Sequence, residues 1–288
     1  MSLSQRAFEV PVPGELVELA PRVLRITAPN PSLMTGPGTN TYLVGERDLL
    51  AIDPGPADDG HLDAVAAAAA GRGRLRAVLV THHHADHAPG ARGLADRTGA
   101  EVLGYEERET YSPDRLVREG DLVELGDVAL RAVHTPGHAS DHLCFLTETP
   151  DRLLFSGDHV MGGSTVVIAP PDGDMASYLD SLDRLLGERP PVERIVPGHG
   201  PLMSDARAVL IGYRAHRLAR EAAVLAALAR RRRASVEELV ADVYTDVAEA
   251  LHPVARYSVW AHLLKFRDEG LARSTAPDRL GATWEATG

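Results

Sequence analysis

The chain has 288 residues, 44% of them hydrophobic and 25% charged, which is ordinary for a globular protein with a substantial core. Its single cysteine, Cys144, excludes an intrachain disulfide, and no run of about 18 apolar residues exists to cross a membrane as a helix. The net charge of -11 is uneven: residues 1–203 hold 17 basic and 30 acidic residues, net -13, and residues 204–288 stand at +2, so the first part repels polyanions at long range.

The start, MSLSQRAFEV, lacks a basic end followed by an apolar run, so no secretory leader is expected. With the lone cysteine, this fits a reducing, cytoplasmic setting. Lys265 is the only lysine, an arginine bias that fits a GC-rich bacterial source. Short apolar runs at 22–27, 39–45 and 49–53 read as strands, the first two separated by a Pro/Gly-rich loop, NPSLMTGPG (30–38). Residues 60–71 read as a helix ended by glycine, and 75–82 as a buried strand. A helix over 87–99 follows, then strands at 101–105, 122–125, 128–135, 142–147 and 152–158. Helical periodicity returns at 174–188, and ERIVPGHGP (193–201) is one more strand with a loop at its end.

The pattern changes after residue 203. Residues 204–233 form one long helical pattern, and 235–244 open with a capping box, Ser235 to Glu238. A helix over 249–270, broken near Pro253, and a small hairpin from 271–275 and 282–286 complete a winged-helix-like module. The division expected is 1–203 for a catalytic domain and 204–288 for a helical C-terminal domain.

Residues 81–90 read THHHADHAPG, four histidines and an aspartate in a short span directly after a strand. Alternate residues of an extended loop project toward one point. His82 and His84 therefore suit one cation, and Asp86 and His87 could face a second. Imidazole and carboxylate donors suit zinc, iron or manganese. One short motif cannot complete two shells, so further donors must come from distant strand ends. Three such ends carry them: His138 in HTPGHASDH, Asp158 in FSGDH and His199 in PGHGP, each preceded by a glycine that lets the chain approach closely.

Taken in order, these four motifs resemble those of the metallo-β-lactamase-fold hydrolases, over roughly residues 15–203. The resemblance implies an α/β fold, an αββα sandwich with cations at one edge. It implies His82, His84 and His138 as ligands of a first metal, Asp86, His87 and His199 as ligands of a second, and Asp158 as the carboxylate bridging both. GTNTYLVG (38–45), IDPGP (52–56) and the winged-helix-like tail are similar to the β-lactamase-like 2 subgroup, whose members include endoribonucleases; related members hydrolyse acyl thioesters. Drug-hydrolysing lactamases match poorly, since they carry a different carboxylate or cysteine pattern at the second metal.

Two cations about 3.5–4 Å apart share a water, lower its pKa and present it as hydroxide to a carbonyl or phosphorus. Asp86 is the expected catalytic residue, holding that water or taking its proton. The expected cofactors are two divalent ions, zinc first, with Mn2+ and Fe2+ as alternatives. The leading reading is a hydrolase of a small ester, thioester or lactone, since the acidic catalytic part disfavours polyanions. The alternative is an endoribonuclease on single-stranded RNA guided by the tail, and a third reading is a non-catalytic metal-binding scaffold. No membrane partner is expected, and a homodimer is left open. His83 reads as structural, while His134, His142 and His159 stand equally between packing and support of the ligands. RRRR (230–233) reads as a helix end complementing the macrodipole ahead of a nucleic-acid contact.

Overall fold

Apolar runs separated by Gly/Pro turns build two mixed sheets that face each other across one core. The structure, a computed structural model, describes residues 8–126 and 128–287. The expectation of a missing leader falls largely on residues 1–7, outside the described residues.

The first sheet holds β1 (Leu16–Ala20), β2 (Val23–Thr27), β3 (Asn40–Gly45), β4 (Asp48–Ile52), β5 (Arg74–Leu79), β6 (Glu101–Gly104) and β7 (Arg115–Leu116), side by side in chain order. Strands β1 to β4 pair antiparallel; β4 to β7 run parallel. Parallel neighbours need a crossover. Helices α1 (Asp59–Ala70) and α2 (Gly90–Thr98) supply it for β4–β5 and β5–β6 and bury Leu62, Val65 and Leu94 against the outer face, while a loop joins β6 to β7. The second sheet holds β8 (Leu122–Leu125), β9 (Val128–His134), β10 (Leu143–Thr147), β11 (Leu153–Gly157), β12 (Arg194–Pro197) and β13 (Met203–Ser204), in the spatial order β13-β12-β11-β10-β9-β8. Its parallel pair β11 and β12 is bridged by α3 (Met175–Gly187). Between the sheets, Leu50, Ile52 and Leu79 meet Phe145, Phe155 and Val196. The layers are therefore helix, sheet, sheet, helix.

Asn40 stitches the two sheets together. Asn40, at the start of β3, donates from Nδ2 to the carbonyls of Pro197 and Gly200 at 3.0 and 2.9 Å, and from its backbone N–H to Gly198 at 2.8 Å. Tyr42 donates to the Pro197 carbonyl as well. These four hydrogen bonds pair buried polar groups that would otherwise go unsatisfied.

The C-terminal part runs α4 (Ala206–Arg231), β14 (Arg233–Ser235), α5 (Val236–Val243), a 3-10 turn (Glu249–Leu251), α6 (His252–Asp268), β15 (Ala272–Arg273) and β16 (Thr283–Ala286). Its three strands form a small antiparallel sheet, β14-β16-β15, around the buried Trp284. Ser235 and Glu238 make the expected capping box. Helix α4 belongs to two cores. Ala206 and Leu210 pack with α3, and Val224, Ala227 and Leu228 pack with Trp284.

Four expectations are corrected. Strand β1 was not expected; it lies at the sheet edge, where half-exposed Leu16 and Glu18 blur the apolar pattern. The helix expected from residue 87 starts at Gly90, because the preceding stretch is spent on tight turns. The long helix stops at Arg231, where Arg232 takes φ 64° and the chain turns into β14. Pro253 does not break a helix; it sits in the first turn of α6, where its missing N–H costs nothing.

Candidate metal centre

The loop after β5 sorts the histidine cluster into two directions. The His87 and Ala88 N–H groups both close on the His84 carbonyl, at 3.0 and 3.1 Å. This turn aims the donor atoms of Asp86 and His87 at a second group, although the His87 ring still lies 4.3 Å from that of His82. The other donors arrive from the second sheet: His138 from the β9–β10 loop, Asp158 from the end of β11, and His199 from the end of β12. The expected seven residues are brought together. In one group, His82, His84 and His138 each offer an atom within 4.8 Å of the others; in the next, Asp86, His87, Asp158 and His199 do the same.

Close approach at this point depends on two glycines. Gly157 has φ 47°, and a Cβ there would stand 2.7 Å from Thr81 Oγ1. A Cβ on Gly198 would stand 2.7 Å from His87 Cε1 and 2.8 Å from Asp158 Oδ1. The backbone itself forms the floor beneath the ligands.

The first group is a convergence of lone pairs. His84 Nδ1 lies 3.1 Å from His82 Nε2 and 2.9 Å from His138 Nε2. The Nδ1 of His138 faces the Val167 carbonyl at 2.7 Å, which can only accept, so the proton is on Nδ1. The Nδ1 of His82 faces Thr81 Oγ1 at 3.0 Å, and that hydroxyl spends its own proton on Asp53. Both Nε2 atoms are thereby left bare and aimed at His84. Burial, followed by the neighbouring imidazoles, holds His82 well below the ordinary histidine value and pushes His84 down to about 4. His138 is lowered by burial too, against the pull of Asp158. Three imidazole nitrogens within 4.8 Å of one another, two of the separations being 3.1 and 2.9 Å, fit one cation, since tetrahedral bonds of roughly 2.0–2.1 Å set ligand nitrogens about 3.3 Å apart.

The second group sets two carboxylates against two imidazoles. His87 Nε2 and His199 Nε2 are 3.2 Å apart, and each lies 3.3 Å from Asp158 Oδ1. Asp86 Oδ2 is 3.2 Å from His199 and 3.7 Å from His87. The second oxygen of Asp158 faces the other group, 3.7 Å from His138 Nε2. Burial opposes charge on both histidines, yet Asp158, Asp86 and Asp53 lift His87 well above its ordinary value, and Asp158 with Asp86 lifts His199 to about 9. Despite burial, His199 and His87 hold Asp158 well below the carboxylate range, and His87 with His199 takes Asp86 to about 2. The donor set thus demands positive charge, which a divalent ion can supply in place of protons.

Supporting contacts fix the rings. Asp53 Oδ2 accepts from His87 Nδ1 at 2.8 Å, and the Gly38 carbonyl accepts from His199 Nδ1 at 3.1 Å. Asp53 was not singled out from the sequence, although its place in IDPGP at a strand end was a signal. His142 accepts the Asp158 N–H at 3.2 Å and so supports a candidate ligand directly. His83 pairs with Asp141 at 2.8 Å, as expected of a structural residue. His134 stacks on Tyr105, and buried His159 lies against Tyr178. A third grouping of His83, His84 and Asp172 also falls within 4.8 Å, but Asp172 is spent on Ser140.

Above the ligands opens a cavity of about 690 Å3. His84, Asp86, His138 and Asp158 form its floor, and Leu33 and Met34 stand at one side. Val247, Leu251, Val254 and Tyr257 close it from the C-terminal part.

Residues 34–199, more than half of the chain, match the profile of the metallo-beta-lactamase superfamily. The chain belongs to the metallo-β-lactamase superfamily. Residues 235–284 match the beta-lactamase associated winged helix domain. A beta-lactamase-like protein 2 homolog of Drosophila melanogaster is 32% identical over 279 residues, 90% of this chain and 92% of that protein. An atrochrysone carboxyl ACP thioesterase of Aspergillus chevalieri is 30% identical over 256 residues, covering 86% and 81% of the two chains. A beta-lactamase domain protein of Burkholderia ambifaria superposes over the full length of both chains with TM-score 0.79 at 21% identity, a likeness of fold. This metallo-β-lactamase superfamily member is a hydrolase, with a helix–sheet–sheet–helix catalytic fold and a winged-helix tail. Its His/Asp clusters suit divalent metal. Among the described residues, no helix is long and apolar enough to cross a membrane.

Proposed function

We propose that the protein is a dinuclear zinc hydrolase of a small ester, thioester or lactone. The observation that carries this reading is Asp158, whose Oδ1 faces His87 and His199 while Oδ2 faces His138. A carboxylate set between a neutral three-histidine group and a second group of His and Asp suits two neighbouring cations. His82, His84 and His138 would hold one, Asp86, His87 and His199 the other, and Asp158 both. The ions would supply Lewis acidity and an acidified water.

The chain's own residues do the rest. Asp86, more exposed than the histidines around it, stands where it can orient the attacking water and take its proton. Asp53, Thr81 and the Val167 and Gly38 carbonyls hold the imidazoles in one tautomer each. The apolar cavity wall seats the acyl part and keeps bulk water from it. The division at residues 203 and 204 is retained, with α4 as the connecting helix. A cytoplasmic, bacterial setting rests on the single cysteine and the arginine bias.

The arginine run gives the RNA reading little support. Arg230 and Arg231 both pair with Asp242, and Arg233 lies 3.9 Å from Glu285. The test is metal analysis of the purified protein together with a parallel panel of acyl thioesters, lactones and an unstructured labelled RNA. Two zinc equivalents and thioester or lactone turnover, lost with chelator and with His82→Ala, are expected. RNA cleavage alone would overturn the substrate reading, and metal uptake with no turnover would return the protein to a scaffold.

A further inference from the structure

The cavity extends beyond the ligand clusters to α4, whose residues His216, Arg217 and Arg220 reach its wall. Arg220 is neutralised, since Nη2 contacts both oxygens of Asp246 and Nη1 donates to the Val243 carbonyl. Arg217 is different. It is only 2% exposed, its Nε has no hydrogen-bond partner, and no carboxylate among the described residues lies within ion-pair reach. Nη2 donates to the carbonyl of Val166, and both residues line the cavity. The neighbouring phenols offer no negative charge: Tyr178 donates to the His159 carbonyl and Tyr213 to the Met161 carbonyl. The guanidinium stands 5.2 Å from the Tyr178 ring centre.

A buried guanidinium without a counter-charge is costly, and proteins pair such groups as a rule. The cavity is the remaining place from which an anion can come. The same wall carries the apolar side chains of Met161, Val167, Leu251 and Val254. We infer that Arg217 recognises an anionic oxygen group on the substrate, remote from the scissile carbonyl. The inference rests on the ester and thioester reading above and narrows it. The substrate class is an acyl ester or thioester with an apolar body and an anionic tail. The anion is a carboxylate on the acyl chain or a phosphate on the thiol-bearing arm; guanidinium geometry suits both.

The test uses metal-loaded protein and three thioester series of equal length: neutral alkanoyl, ω-carboxyalkanoyl, and neutral acyl on a phosphorylated thiol arm. In the wild type, kcat/KM for one anionic series should exceed the neutral series by about tenfold or more. Arg217→Met should collapse that ratio through KM, and Arg217→Lys, which keeps charge but not the fork, should fall between. Which series responds identifies the anion. Calorimetry with adipate and inorganic phosphate reads the same site without turnover and should lose its Arg217-dependent heat in the variant. Should Arg217→Met fail to fold, the wild-type ratio and Arg217→Lys carry the test. Equal treatment of neutral and anionic series by the wild type, with no Arg217-dependent binding, overturns the inference. Arg217-dependent binding with every thioester inert upholds the anion site and overturns the thioester reading instead.

Discussion

The carboxylate of Asp53 lies 2.8 Å from Nδ1 of His87 and takes two further hydrogen bonds from Thr81, one from its backbone N–H and one from its hydroxyl, both at 2.8 Å. Three donors thus converge on two oxygens, an arrangement an amide cannot satisfy because one of its ends donates. Asp53→Asn tolerates the same left-handed backbone, φ 50°, so the fold should survive. Metal affinity or activity should fall about 10- to 100-fold. Metal titration with a competing chelator measures it, and wild-type affinity in the variant would refute the role.

Gly198 is the second sensitive point. An added Cβ would press on His87 and Asp158 together, and backbone holds it from behind. Gly198→Ala should therefore lower metal content and turnover by at least about tenfold while far-UV circular dichroism stays native. Gly212, inside α4 with open space around its Cα, is the control. Gly212→Ala should raise stability by about 0.5–1 kcal/mol in urea unfolding, through helix propensity alone.

His61 links pH to stability. Its Nε2 donates to Thr41 Oγ1, which itself donates to the Asp53 carbonyl, and burial lowers its proton affinity despite Asp58. The folded pKa lies below the unfolded value, so the unfolded chain binds the extra proton. Stability from this residue is complete above about pH 6.5 and is lost as pH falls below it, at no more than about 1.4 kcal/mol per pH unit. Urea midpoints of wild type and His61→Gln at pH 7.5 and 5.5 separate this contribution from the metal ligands. The variant should lose less on acidification, and parallel losses would exclude the residue.

Trp284 anchors the C-terminal core, fully buried among Val224, Leu228, Val259 and Phe266. Trp284→Ala should cost about 3–5 kcal/mol there. None of the candidate ligands belongs to that core, whereas Val247 and Tyr257 pack against it and line the cavity. Metal content should stay near that of the wild type while KM rises. A variant that loses its metal in step with its tail would show the two parts to be one cooperative unit.

The sequence revealed the seven candidate ligands because their spacing is local or their context is a glycine-marked strand end. His82 to His87 sit in one short loop, and Asp158 and His199 each follow an apolar strand. Asp53 was hidden for the opposite reason. Its partner His87 lies 34 positions away, and nothing in IDPGP says which donors will meet there. Arg217 was equally silent: on a helix of repeated Ala, Leu and Arg, only packing shows which arginine is buried. The double allegiance of α4 was lost in the same uniform pattern, since one amphipathic stretch reads alike whichever core it faces.

The seam at Asn40 has a consequence for how the ion pocket is made. Its three bonds pin the turn carrying His199 to the opposite sheet, with no contribution from any ligand to the imidazole. The turn carrying His199 should therefore hold its place whether or not an ion is bound. Protein treated with chelator is expected to keep that turn, so that refilling needs no refolding of it first.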